Sequence, residues 1–244
     1  MSDDAPIKRI SLWSGPRNIS TALMYSFAQR SDTRVIDEPL YAHFLSHNVE
    51  AQVYHPGADE VLRTMENDGN KVVEMMISAS DKPVMFYKNM THHLPGLDTG
   101  FLPKLINVIL TRDPVEMLPS YADVIETPSI EDVGYRMQVQ LMEELERRNL
   151  PVVIVDSADV LKNPAGHLKK LCNAVGIPFE EAMLNWEAGP RPEDGCWASY
   201  WYKNVHASTG FQPYCPKKTP FPEHLKPLLN ECRPYYEKLV EKKL

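Results

Sequence analysis

Two stretches of the chain join arginine to hydroxyl side chains at sharp turns. The first, Ser14-Gly15-Pro16-Arg17-Asn18-Ile19-Ser20-Thr21, follows an apolar run from Ile7 to Trp13 and leads into a helix-like pattern through Phe27. Strand, tight loop and helix in that order leave free backbone N–H groups at the positive end of a helix dipole. With Arg17, Asn18, Ser20 and Thr21 as further donors, the loop is suited to binding an anion, above all phosphate. It is not a Walker A loop, because the second glycine and the lysine before the hydroxyl residue are missing. The second stretch is the apolar, β-branched run Leu105 to Thr111, which ends in Arg112-Asp113-Pro114 and is followed by Ser120. An arginine at the carboxyl end of a strand can grip a phosphate bidentately, and a serine two turns into the next helix can reach the same anion.

Such residues need a scaffold that brings strand ends together. Leu105 to Thr111 lacks polar alternation, as a strand buried on both faces of a parallel sheet does. Thr33 to Ile36, Pro83 to Lys88 and Val152 to Val155 read as further strands, with helical patterns between them. The expected fold is α/β: a three-layer, doubly wound parallel sheet of about five strands, similar to the P-loop NTPases. In such a sheet the turn Asp37-Glu38-Pro39, after the second strand, stands near the phosphate loop, which makes Glu38 the carboxylate of most interest.

The pair WSGPRNISTAL and VILTRDPVEMLPSY resembles the two nucleotide-binding motifs of the sulfotransferases that use 3'-phosphoadenosine 5'-phosphosulfate (PAPS). A third segment, Pro151 to Phe179, is similar to that family's strand, acidic turn and following helix, so the likeness touches most of residues 7–180. The resemblance implies that Gly15 to Thr21 hold the 5'-phosphosulfate and that Arg112 and Ser120 hold the 3'-phosphate. It implies 3'-phosphoadenosine 5'-phosphate (PAP) as product and no required metal. Related enzymes carry a glutamate in a context like that of Glu38, as base or acceptor contact. They also place a Lys-Thr-His-Leu-Pro segment where this chain has YKNMTHHLP, which makes Lys88, His92 and His93 candidates without choosing between them. A histidine near its ordinary pKa of about 6.5 suits base catalysis at neutral pH. The family's Arg-Lys-Gly lid over the 3'-phosphate has no counterpart; Lys203 and the Ser208-Thr209-Gly210 turn offer the similar chemistry here.

Composition sets bounds. With 244 residues, 43% of them apolar, the chain suits one domain over residues 1–244. Within it we expect a loose tail at 1–6, a nucleotide-binding core at 7–180, an irregular, proline-rich lid or acceptor loop at 187–222 and C-terminal helices at 223–242. Trp197, Tyr200, Trp201 and Tyr202 in that loop are suited to stack on a base or line an acceptor pocket. A formal charge of −7, with no dense basic run beyond Lys217-Lys218 and Lys242-Lys243, argues against nucleic acid as a partner. No apolar stretch reaches membrane-spanning length and the N-terminus lacks an apolar signal region, so a soluble, cytoplasmic location is expected. The four cysteines are widely spaced, without a C-x-x-C pair, and read as free thiols.

Several boundaries carry expectations of their own. We expect helices at Leu40 to Ala51, with His43 and His47 on one face, and at Ala58 to Asn67. Lys71 to Ser80 is open between helix and loop, and Gly96 to Pro103 is a loop bordering the acceptor. Further helices are expected at Pro114 to Val124, from a Ser129 cap to Arg148, from Asn163-Pro164 to Gly176, at Phe179 to Trp186, and as a final pair, Glu223 to Glu231 and Pro234 to Lys242. The function expected is transfer of a sulfuryl group from PAPS to a hydroxyl or amine of a small acceptor. The alternatives are a small-metabolite or nucleotide kinase with an atypical phosphate loop, and a non-catalytic module that binds PAP.

Overall fold

Five parallel strands, β1 (Lys8–Ser14), β2 (Thr33–Asp37), β3 (Val84–Met90), β4 (Ile106–Thr111) and β5 (Val152–Asp156), pair in the order β2-β3-β1-β4-β5. The computed structural model describes residues 6–216 and 219–244; the expected tail, apart from Pro6, and the Lys217-Lys218 pair lie outside them. From β1 the chain runs to β2 and back to β3 on one side, then crosses to β4 and β5 on the other. The order therefore reverses at β1, and a crevice opens at the carboxyl ends of the strands, where ligands bind in open α/β sheets.

Period-two alternation along each strand builds the three layers. Ile10, Leu12, Val84, Phe86, Val108, Leu110 and Val155 point to one face, against Leu23, Met24 and Phe27 of α1 (Ser20–Ala28). Trp13, Met85, Tyr87, Ile109 and Ile154 point to the other, against helices that follow later in the chain. Each large side chain buried this way contributes about 1.5–3 kcal/mol, which is why the strands read as largely apolar runs, broken by few polar residues such as Ser11 and Asn107.

Several elements end where the apolar pattern alone does not show it. Leu40 to Ala51 is two helices, α2 (Tyr41–His47) and α3 (Val49–Tyr54), because Asn48 leaves the helical conformation and its side chain accepts from the Ala51 amide at 3.0 Å. Next come α4 (Ala58–Thr64), shorter than expected, and α5 (Gly69–Ser78), which Asp68 caps and which settles the open segment as helix. Thr99–Lys104 is a 3-10 turn. Asp113 caps α6 (Pro114–Ala122), and Ser129 forms a capping box on α7 (Ile130–Val133). The long helix expected after Ser129 is interrupted: Gly134, at φ +75°, ends α7, and α8 (Tyr135–Arg147) starts anew.

After β5 come α9 (Ser157–Lys162) and α10 (Pro164–Val175), the latter closed by Gly176 at φ +72°. Phe179 to Trp186 is not a helix beyond a 3-10 turn at Glu181–Leu184. Its backbone is drawn into cross-chain bonds instead: Asn185 bridges to Gly210, and the Trp186 amide donates to the Thr209 carbonyl. The proline-rich segment contains α11 (Ala198–Trp201) and α12 (Lys203–His206). The two final helices are one, α13 (Lys226–Val240), which runs through Pro234. Burial of Leu229, Cys232 and Leu239 outweighs the backbone bond that the proline removes. Helices α5, α8 and α13 cover the Trp13 face of the sheet, while α9 and α10 join α1 on the other. Among the described residues no helix is long and apolar enough to cross a membrane.

The break at Gly134 also shapes the loop after β1. A Cβ added to Gly15 would lie 2.8 Å from the Val133 carbonyl oxygen, so the loop passes against the α7–α8 junction with no room for a side chain. Gly15→Ala should therefore destabilise the fold by about 1–3 kcal/mol, measured by urea unfolding, since backbone must move to admit the methyl.

Candidate functional site

The carboxyl ends of β1 to β4 and the 197–212 segment enclose a cavity of about 280 Å³. Pro16 to Ala22 form part of it. Helix α1 starts there with Ile19 in the cap position, no described side chain caps it, and its first turn holds no acidic residue. Its leading N–H groups are left for a ligand. Arg17 sits at φ +54°, a conformation that a non-glycine residue adopts at a cost of about 1–3 kcal/mol. Its guanidinium donates to Ser120 Oγ and to the Trp201 carbonyl, both at 3.2 Å. Among the described residues it has no carboxylate partner, and burial together with neighbouring Arg112 pulls its pKa down. Arg112 donates to the Arg17 carbonyl at 2.9 Å, and its Nε lies 3.4 Å from Glu116. Two guanidiniums face one paired carboxylate, and an anion with several oxygens would restore the balance. The residues present thus fit a phosphate-bearing group.

At the carboxyl ends of β2 and β3 a lysine lies between two acids. Lys88, fully buried at the end of β3, donates to Asp37 Oδ1 at 2.8 Å, to Glu38 Oε1 at 2.5 Å and to the Tyr202 hydroxyl at 2.7 Å. Burial works against its charge, but the two carboxylates outweigh burial and its pKa is raised. Burial, with the charge of Asp37 added, pushes the Glu38 carboxyl up against the pull of Lys88. Two acids share one ammonium, and Glu38 carries the surplus. Glu38 also has φ +38°, so two of the three described non-glycine residues with positive φ, Arg17 and Glu38, line one cavity.

Aromatic rings and neutral imidazoles wall the space between. His93 stacks on Tyr41 with centroids 5.0 Å apart and on Phe44 at 4.9 Å, and His92 meets Phe44 edge-on at 5.0 Å. Burial lowers the pKa of His92 to about 3 and that of His93 well below the usual histidine range. His55, lowered to about 4 by burial, bonds the Tyr41 hydroxyl at 2.8 Å. Trp197, Trp201 and Tyr202 close the cavity from the proline-rich segment.

Of the residues singled out from the sequence, Pro16 to Thr21, Glu38, Lys88, His92, His93, Arg112, Ser120, Ser208 and Gly210 line this cavity together. Gly15 lies behind the loop, against Val133. Lys203 and Thr209 do not line it: both are exposed, Lys203 on the outer side of α12 and Thr209 with its carbonyl committed to Trp186. Tyr200, half exposed, packs on Gly57 outside it, and no residue of the Gly96 to Pro103 loop borders it. His43 and His47 have rings 4.4 Å apart, yet no group of three or more metal-ligating side chains occurs among the described residues. Asp37, Tyr41, His55 and Tyr121 escaped the sequence reading. Asp37 had a signal, its place beside Glu38 at a strand end, whereas the other three carry none.

Comparison with known proteins places this geometry in context. The family described as "Sulfotransferase domain" matches residues 8–242. Two proteins of Arabidopsis thaliana, named branched-chain-amino-acid aminotransferase-like protein 2 and protein 1, are each 42% identical over 231 residues, which is 93% of this chain and 40% of theirs. The chain thus spans about two fifths of the length of these relatives. Among solved structures, the sulfotransferase domain of the Synechococcus PCC 7002 olefin synthase aligns with a TM-score of 0.56 at 14% identity, covering 94% of this chain and 96% of that one. The sulfotransferase domain of the curacin biosynthetic pathway aligns with a TM-score of 0.51 at 13% identity, covering 93% and 98%. At such identities the likeness concerns the fold.

Proposed function

Since the chain belongs to the sulfotransferase domain family, we propose that it moves a sulfuryl group from PAPS to a hydroxyl or amine of a small-molecule acceptor. The observation that supports this most is the make-up of one cavity wall, which joins two guanidiniums and an uncapped helix start to a carboxylate with raised pKa. Bound along it, PAPS supplies the sulfuryl group, whose bond to the 5'-phosphate oxygen breaks as the acceptor atom bonds to sulfur. The loop amides and Arg17 face the position where negative charge grows on the departing phosphate, and fixed donors of this kind need no reorganisation. Arg112 and Ser120 hold the second phosphate. Glu38 takes the proton from the acceptor hydroxyl or amine, and its raised pKa brings its basicity toward neutral pH. The aromatic walls exclude water and orient a flat or apolar acceptor.

Calorimetric titration with PAP, then with ATP and magnesium, tests the reading. Micromolar binding of PAP without metal is expected, and binding of ATP but not PAP would replace sulfotransfer by a kinase. The pH dependence separates the candidate bases. His92 and His93 are buried neutral, so kcat/KM should show no ionisation at the ordinary histidine value of about 6.5 that disappears in His92→Gln or His93→Gln. The acid limb should instead belong to Glu38. Activity falls as pH drops through its raised pKa and the base is protonated, and this limb is absent from Glu38→Gln.

A further inference from the structure

The two adjacent carboxylates at the end of β2 are bonded very differently. Asp37 accepts three hydrogen bonds: Oδ1 accepts from Lys88 at 2.8 Å, and Oδ2 accepts from the Tyr202 hydroxyl at 2.7 Å and the Gly195 amide at 3.1 Å. Glu38 accepts from Lys88 through Oε1, no described group donates to its Oε2, and it lines the cavity. Lys88 has three N–H groups and all three are engaged, by Asp37, Glu38 and Tyr202. Asp37 therefore ties β3 to two points of the segment that closes the cavity, and three of its about four acceptor positions are taken against one of Glu38's.

From this geometry we propose that Asp37 is a positioning residue: the buried anion that fixes Lys88 and the Tyr202 segment, leaving Glu38 as the carboxylate free to take a proton. The sulfotransfer reading enters only in naming that proton as the acceptor's. The groups facing Glu38 are Asp37 on β2, Lys88 on β3, Tyr41 on α2, Tyr121 on α6 and Tyr202 after α11, with His93 stacked behind Tyr41. The tyrosines have raised pKa values and His93 a lowered one, so all are neutral near pH 7 and only Asp37 and Lys88 bring charge to Glu38. Their opposite charges offset each other. Without the anion, the ammonium alone faces Glu38 and holds it ionised to lower pH.

Carbon-13 NMR of side-chain-labelled glutamate tests this without any acceptor, the Glu38 signal being the one lost in Glu38→Gln. In Asp37→Asn the Glu38 titration should move down by about one pH unit or more, a tenfold loss of proton affinity, and Asp37→Glu should restore it. An unmoved titration in folded Asp37→Asn overturns the inference. Should that variant not fold, the unmodified chain labelled at aspartate and glutamate decides: the first proton taken up by the pair goes to Glu38, and its going to Asp37 overturns the assignment. Calorimetry keeps the two readings apart. PAP affinity should stay within about threefold in Asp37→Asn, whereas failure of the unmodified chain to bind PAP counts against sulfotransfer and leaves the carboxyl titration as it stands.

Discussion

Glu38→Gln should lower kcat/KM for sulfuryl transfer by about 10²- to 10⁴-fold, the range a positioned general base contributes. The amide keeps the shape and can still accept from Lys88, so PAP affinity should not change. What is lost is a site for the acceptor's proton. Labelled PAPS with the best acceptor from a screen provides the rate, and a variant within threefold or so of the parent would remove Glu38 from the chemistry.

The same substitution should stabilise the protein, and the pH dependence fixes the sign. The Glu38 carboxyl has a folded-state pKa raised above its ordinary value by burial and by Asp37. Its contribution to stability is therefore fully present below the ordinary carboxylate range and is lost as pH rises through the raised folded value. Glutamine imitates the protonated form at every pH. The melting temperature of Glu38→Gln should thus match the parent in acid and exceed it increasingly toward neutrality, a gap that differential scanning calorimetry at both ends resolves. A residue that costs stability as an anion and also sits at φ +38° is held there by its surroundings, which is the pattern of a functional position.

That the loop after β1 and the arginine after β4 line one cavity was legible in the sequence because these parts are local. A buried strand, a Gly-Pro turn and a helix start fall within fourteen residues, from Lys8 to Thr21, and Arg112 follows its strand directly. Parallel strands buried on both faces also announce themselves as apolar runs. The lysine and its partners were less legible, because Lys88 meets Asp37 and Tyr202 only through the sheet order and the return of the chain over the crevice. Nor does periodicity alone reveal that Asn48 restarts a helix or that Gly134 interrupts one; each break depends on a cap or a left-handed residue inside an otherwise helical pattern. Lys203 was chosen for its charge, and charge without position did not bring it to the cavity. His92 and His93 reach the cavity, but Phe44 and Tyr41 pack them so closely that their basicity is suppressed, an effect of neighbours about fifty residues away in sequence.

Arg17 and Arg112 should fail in different ways when truncated. On the proposed function, Arg112→Ala removes a phosphate contact that is equal in ground and transition states, so PAP affinity should fall about 10- to 100-fold, the 1.5–3 kcal/mol of a charge-assisted bond, while kcat at saturating donor changes little. On the same reading Arg17 stands at the loop where charge develops, and Arg17→Ala should in addition lower kcat by about 10²- to 10³-fold, as loss of an oxyanion donor does. Lysine should not rescue it. The guanidinium spans Ser120 Oγ and the Trp201 carbonyl from two different nitrogens, a fork that a single ammonium does not reproduce. Because that fork also joins the phosphate loop to the segment closing the cavity, Arg17→Lys should expose Trp201, seen as a red shift of tryptophan emission that Arg112→Ala lacks. Calorimetry for PAP and single-turnover transfer for kcat separate the two roles. A kcat as little changed in Arg17→Ala as in Arg112→Ala, with PAP affinity lost in both, would mean that Arg17 only binds the nucleotide and does not act on the departing phosphate.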